Sequence, residues 1–352
     1  GFSLRFGYSV FDGSVQNVST GRRYDYIQHA VSCASAGEEI VVPQGRYVEK
    51  IDFAGTAVTV RSADPADSAV VAGTVIQAWG DVVICVSQED ANSVLDGLTI
   101  TGGAHGITCS STTPTIRRCN ITANRDSGVR LLYQSNPRIE LCNIIGNGGA
   151  GIEMWSTGQG RTIKHNLAAV SNCIIAGNRR EGIGGGKPAI TNCTIVENLG
   201  DGLIVASSVV TNSIIRLNGR GGSGVQINSS YVTATYSDVE GGWPGDGNID
   251  ADPLFVEPGR WVSAVDGSIL SDPTSTAAVW IAGDYHLKSQ GRRWDGHSGA
   301  WVADAVTSPC IDAGDPTWPL LDESLDALYP NPAINMGAYG GTAQASLAPP
   351  GN

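Results

Sequence analysis

The sequence predicts an all-β fold: a single-stranded parallel solenoid in which one β-strand follows another around a continuous core. Three observations predict it. Five segments repeat one short pattern, Cys or Ser, an aliphatic residue two positions on, Asn at plus five, then Gly and another aliphatic residue: Cys119-Asn124-Gly128, Cys142-Asn147-Gly151, Cys173-Asn178-Gly182, Cys193-Asn198-Gly202 and Ser213-Asn218-Gly224. The spacings of 23, 31, 20 and 20 residues between their first members match one solenoid coil each. Charged residues make up only 16% of the chain while glycine appears 46 times, as coils that turn every few residues require.

The elements follow in order. Asp25 is placed to cap a short helix whose apolar stripe is Ile27, Ala30, Val31 and Ala34, with Gly37 ending it. Strand-like runs come next at 39–43, 47–53 and 57–61, then at 82–86 and 95–101, then the five repeats, and finally 236–239. A helix just before the first coil is suited to cover the open end, where unpaired strand edges would aggregate. After Gly241 the period fails, and the chain becomes rich in Pro, Gly, Asp and Trp. The expected organisation is an N-terminal segment with a helical cap over 1–38, a parallel β-helix over 39–240, and a Trp-rich C-terminal cap over 241–352 packed back on the coils. Six of the eight tryptophans (Trp243, Trp261, Trp280, Trp294, Trp301, Trp318) lie in that last segment, where they can build a small core, with carbohydrate contact by one or two as the alternative.

A formal net charge of −12 argues against general nucleic-acid or anionic-membrane binding. No apolar run approaches the ~18 residues that would span a bilayer, so no membrane insertion is expected. No secretory leader is recognisable, which leaves export to be judged on other grounds. Cys119, Cys142, Cys173 and Cys193 recur at one place in successive coils, alternating with outward residues, so their thiols are expected to be free and stacked in the core. Neighbouring coils would hold the Cβ vectors parallel, which disfavours a disulfide.

The pattern resembles the right-handed parallel β-helix superfamily, the pectate-lyase-like fold, over about residues 25 to 240. Asn124, Asn147, Asn178, Asn198 and Asn218 match that family's asparagine ladder, in which stacked amides bond along a turn. The head, "YIQHAV…GEEIVVPQGRYVEKIDFAG", resembles the opening of secreted bacterial β-helix repeat proteins, and the tail, "DYHLKSQGRRWDGHSGAWVADAVTSPCIDAGDP…NMGAYGG", resembles a closing segment of the same group. The resemblance implies a secreted or extracellular protein. It does not imply one activity, because the fold hosts lyases, hydrolases, epimerases and non-catalytic surface proteins. Neither the aspartate calcium cluster of its lyases nor the paired-aspartate signature of its polygalacturonase-like hydrolases is visible.

Chemistry is therefore sought on the exposed rows. Counted from each ladder Asn, the first outward row is Arg130, Glu153, Gly184, Ile204, Gln226, and the second is Leu132, Trp155, Gly186, Ala206, Asn228. Coils stack about 4.8 Å apart, so Glu153 and Trp155 stand beside small residues, a shallow trough with one aromatic wall. Either the glycines only relieve crowding, or the trough is a sugar platform. Glu181 and Asp201 occupy one turn position on consecutive coils, as paired carboxylates of a glycosidase would; the alternative is a solvated charged turn. The long coil between Cys142 and Cys173 carries extra residues around 156–167, including Arg161, Lys164 and His165. Residues 117–187 hold ten Lys or Arg against four Asp or Glu. A basic patch on an acidic chain suits an anionic glycan. Asp246, Asn248, Asp250, Asp252 and Glu257 match positions 1, 3, 5, 7 and 12 of a calcium loop, although Ala251 replaces the usual glycine, so Ca2+ and a plain turn both remain open.

The expected function is that of an extracellular polysaccharide-active protein, a glycoside hydrolase with Glu153, Glu181 and Asp201 as catalytic groups and Trp155, Arg130, Lys164 and His165 contacting the glycan. The alternatives are a polysaccharide lyase, with Lys164, His165 or Arg130 as base, and a non-catalytic glycan-binding or structural solenoid.

Overall fold

The computed structural model describes residues 15–156, 163–219, 224–270, 275, 277–323 and 331–349. Strands of two to four residues wind into three long sheets, of 11, 9 and 7 strands, each visited once per coil. The first sheet carries Glu39–Val42 through Val232–Thr235, the second Gly45–Val48 through Asp238–Val239, and the third Ile51–Asp52 through Leu203–Ile204; coil-to-coil pairing is parallel throughout. The fold is an all-β parallel solenoid.

Two sharp corners per coil explain the repeated pattern. Between the first and second sheets a single left-handed residue turns the chain: Arg118, Leu141, Asn172, Asn192, Asn212 or Tyr236, all with φ of 49–56°. A side chain in this region costs about 1 kcal/mol or more. The next residue clasps the corner from inside. The thiols of Cys119, Cys142, Cys173 and Cys193 donate to the carbonyl two residues back at 3.2, 3.3, 3.1 and 3.3 Å. Ser213 and Ser237 make the same bond at 2.9 Å each. The thiols are buried and free, as expected, yet they serve as donors as well as small apolar groups.

The second corner holds the ladder. Asn124, Asn147, Asn178 and Asn198 each donate their Nδ2 to the Oδ1 of the next member at 3.0, 3.0, 2.9 and 2.9 Å, and Asn218 ends the run on Gln226 Oε1 at 2.9 Å. Each is nearly inaccessible to solvent, so the ladder satisfies amides that water cannot reach. Between the corners, Ile76, Ile100, Ile121, Ile144, Ile175, Ile195 and Ile215 form one inward file on the second sheet, all fully buried. Each such side chain contributes about 1.5–3 kcal/mol by leaving water.

The N-terminal end differs from expectation in detail. The helix runs Ile27–Ser32, and its first amides are held by Glu49, which accepts from Ile27 N at 3.1 Å and Gln28 N at 2.9 Å; Asp25 does not cap it. The helix gives Ile27, Ala30 and Val31 to the core, while the edge of the first sheet is closed by an antiparallel hairpin, Val15–Asn17 with Arg22–Tyr24. A second helix, Ser68–Gly73, is capped by Asp67.

The C-terminal segment lies on the second sheet. Phe255, Tyr285, Leu287, Cys310, Met336 and Ala338 bury the outward Ile174, Ala176, Val196 and Ile214. The left-handed corner asparagines hold it in place: Asn172 Nδ2 donates to Ala338 O and Gly340 O, Asn192 Nδ2 to Asn335 O, and Asn212 Oδ1 accepts from Asp315 N. The six tryptophans expected to form one small core are dispersed. Trp261 and Trp280 pack together, Trp243 reaches the main core, Trp294 meets Trp301 on a separate hairpin, and Trp318 stays partly exposed.

Candidate functional site

Among the described residues the C-terminal segment packs on the second sheet and not on the outer face of the third, and register fixes what stands there. Its outward row reads Asp52, Ile84, Thr108, Arg130, Glu153, Gly184, Ile204. The next member is Asn228, because Leu203 pairs with Ile227. Gln226 therefore does not belong to this row: it sits inside, as the last rung of the ladder. The residues between Asn218 and Gln226 shift the phase, which a count from Gly224 does not capture.

Beside this row runs a second file, the turn residues just before each strand: Asp81, His105, Ser127, Ala150, Glu181, Asp201. The two files interlock diagonally, the turn residue of one coil meeting the outward residue of the next. Thr108 Oγ1 donates to Asp81 Oδ2 at 2.8 Å, Arg130 Nη1 donates to His105 Nε2 at 3.2 Å, Ser127 Oγ donates to Glu153 Oε2 at 3.1 Å, and Asn228 Nδ2 donates to Asp201 Oδ2 at 2.8 Å. The result is a polar line along the solenoid axis.

The expected carboxylates fall on it, arranged otherwise than a glycosidase pair requires. Arg180 reaches Glu153 Oε1 at 3.6 Å with Nη1 and Glu181 Oε1 at 3.5 Å with Nη2, so one guanidinium bridges the two carboxylates. Glu181 also lies over Gly184: a Cβ there would be 2.5 Å from Glu181 Oε1, so the trough floor is covered at that coil. Asp201 is buried against Asn228. Trp155, 55% exposed, remains an open indole at the end of its strand.

His105, Asp126, Ser127 and Arg180 complete the line and were not among the residues expected from sequence. Reading the position before Gly182 and Gly202 back to Gly128 and Gly106 would have found Ser127 and His105, but that coil has Gly103 in place of a ladder Asn. His105 is 8% exposed; its Nε2 accepts from Arg130, and its Nδ1 is buried with no hydrogen-bond partner among the described residues. Arg130 makes no ion pair among the described residues, and its Nε is likewise buried and unpartnered. His105, Asp126 and Glu153 offer ligand atoms within 4.8 Å of one another, a donor set able to hold a divalent cation. The Arg130 guanidinium on the same imidazole opposes one.

Lys164 and His165 stand near the far end of these strands. His165 Nδ1 is 2.8 Å from Ser156 Oγ, and its pKa is lowered, first by burial and then by Lys187 nearby. Arg161 lies outside the described residues.

The five calcium-loop residues do not converge. Asn248 Oδ1 accepts from Ser237 N and its Nδ2 donates to Ala234 O and Trp243 O; Asp250 binds Arg216 and Gly241 N; Asp252 caps Leu254 N; Glu257 pairs with Arg260. Asp246 contributes its backbone carbonyl to Tyr236 N. These groups are spent on shaping the turn, so the spacing reflects turn chemistry.

Residues 51–168 match the family model described as a right handed beta helix region. None of the curated proteins matches the chain. Among solved structures the chain is similar to the pectate lyase Pel9A, at 16% identity and a TM-score of 0.47 over 89% of this chain and 90% of that one. It is also similar to an alginate lyase from Paenibacillus sp. str. FPU-7, at 15% identity and a TM-score of 0.39 over 64% and 92%. A third likeness is to the A-module of the Azotobacter vinelandii mannuronan C-5 epimerase AlgE4, at 16% and 0.33 over 63% and 83%. With three parallel sheets wound coil upon coil, the chain folds as a parallel β-solenoid, and residues 51–168 of it match the right handed beta helix model.

Proposed function

We propose that this is an extracellular polysaccharide lyase acting on a uronate-containing glycan, with the polar line of the third sheet as its site. The observation that carries the reading is the His105–Arg130 contact: a cation that makes no ion pair among the described residues, 3.2 Å from the acceptor nitrogen of an imidazole. Eliminative cleavage needs those two functions side by side. A uronate carboxylate must be neutralised so that the hydrogen on the adjacent carbon becomes acidic, and a base must then remove it.

A bound carboxylate would draw Arg130 toward itself and so release Nε2 of His105 as the base. The C5 proton passes to Nε2, its electron pair forms the C4–C5 double bond, and the C4–O bond breaks. The leaving oxygen is protonated from solvent. Lys187, close enough to His165 to add to the effect of burial in lowering its pKa, supplies further positive charge, and Trp155 offers a ring to stack on. The hydrolase reading is weakened because Arg180 pairs with both Glu153 and Glu181, holding the two carboxylates in an ion-pair bridge.

The test is a panel of polyuronates (polygalacturonate, mannuronate-rich and guluronate-rich alginate, and hyaluronan) assayed for new reducing ends and for ultraviolet-absorbing unsaturated ends. Both signals together support the lyase. Reducing ends alone mean hydrolysis, and neither on any polymer returns the chain to the non-catalytic class.

A further inference from the structure

A cleft of about 660 Å³ opens on a different face, where the C-terminal segment meets the first sheet. One wall is the outward side of three successive strands, Arg138–Glu140, Ala169–Ser171 and Ala189–Thr191, in which Glu140, Ser171 and Thr191 stand in register. They span two coil spacings, roughly 10 Å along the axis. The other wall carries Trp318, 38% exposed, with Leu321 and Asp322. The volume lies in the range of ordinary ligand sites.

We infer that this cleft binds a neutral saccharide chain, independently of the polar line on the third sheet. Trp318 presents an indole beside a row of hydroxyl-matching groups, the combination that packs a sugar ring's apolar face and bonds its rim. Among the described residues no hydrogen bond engages the hydroxyl of Ser171 or Thr191, so both are open to a ligand. Arg138 and Glu140 pair at 2.6 Å, leaving each with unused donors or acceptors directed along the wall. Charge selects the class of sugar. The Arg138–Glu140 pair cancels, and Asp322 leaves the cleft with net negative charge, which repels a polyuronate and tolerates an uncharged glycan. Rigid placement comes from below: Asn172 and Asn192, which also line the cleft, are fixed to the C-terminal segment through their side-chain amides.

The experiment titrates the whole chain with cellohexaose, mannohexaose and xylohexaose, following tryptophan fluorescence, and repeats the measurement with trigalacturonate. Saturable binding of at least one neutral hexasaccharide is expected, weakened tenfold or more in Trp318→Ala and in Ser171→Tyr, which fills the cleft from the opposite wall. Melting temperatures of both variants establish that the fold is kept. Binding of no neutral hexasaccharide, or binding unchanged in Ser171→Tyr, would overturn the inference. Unsaturated-product formation from polyuronates should be the same in both variants, so failure here and failure of the lyase reading are separate results.

Discussion

Asn178 Oδ1 accepts two hydrogen bonds from Asn147, from Nδ2 at 3.0 Å and from the backbone N at 3.1 Å, while its own Nδ2 passes the chain on to Asn198. One amide therefore satisfies a side chain and a backbone group of the preceding coil, both buried. Asn178→Ala should strand those donors and cost about 1–3 kcal/mol, with each stranded group contributing. Asn228→Ala removes a single bond to Asp201 at an exposed residue and should cost less. Urea unfolding of the two variants compares them directly; equal midpoints would mean that the ladder is not a stabilising element.

The thiol column is expected to be reduced and shielded. Of the eight cysteines, only Cys33 is exposed, and burial pushes the Cys119, Cys142 and Cys173 thiols well above their usual range. In the folded protein a thiol reagent should therefore label one cysteine quickly, and after unfolding without reductant it should label all eight. Cys173→Ser should be tolerated better than Cys173→Ala, since Ser213 and Ser237 make the same corner bond to a carbonyl. Mass-spectrometric detection of any disulfide among the stacked four would contradict the arrangement.

These two columns were legible because each coil repeats them at a fixed offset from the corner: the residue after the left-handed turn must be small and able to donate, and the next corner must carry an amide. The site was less legible. Glu181 was identified through the glycine that follows it, but His105 belongs to a coil whose ladder position is Gly103, so the repeat did not point to it. Gln226 was placed outward because spacing alone does not show that residues after Asn218 shift the strand phase. The calcium-like spacing of Asp246 to Glu257 reads the same whether the carboxylates gather around a cation or, as here, cap separate turns.

Gly177 marks how closely the C-terminal segment sits. It has a φ of 61°, and a Cβ there would lie 2.1 Å from the Trp280 indole. Gly177→Ala should displace Trp280 from the corner and destabilise the protein by about 1–3 kcal/mol, the usual cost of overpacking. The near-ultraviolet circular dichroism of the tryptophans should change along with the melting temperature. An unaltered tryptophan signal would mean that the indole does not rest on this glycine.

Acidification should stabilise the protein over a defined window. Burial pushes Glu323 up to about 7, despite donors from Gly341 N, Asn331 and Asn335 N, and pushes Asp238 and Asp312 each up to about 6. The folded protein then holds protons that the unfolded chain has already released between roughly pH 4 and 7, so stability falls as pH rises through that window. The melting temperature should be higher at pH 5 than at pH 7.5, and Glu323→Gln should flatten part of that slope. A melting temperature that climbs steadily from pH 5 to 7.5 would show that these carboxyls are ionised in the fold.

The most direct test of the proposed chemistry is the rate of unsaturated-product formation on the best polyuronate for His105→Gln and Arg130→Ala, each checked for an unchanged melting transition. With a base and a charge-neutralising group removed, both rates should fall at least a hundredfold. Glu181→Gln, outside the His105–Arg130 pair, should retain most of the activity. Undiminished product from both His105→Gln and Arg130→Ala would contradict the account and place the chemistry away from the polar line of the third sheet.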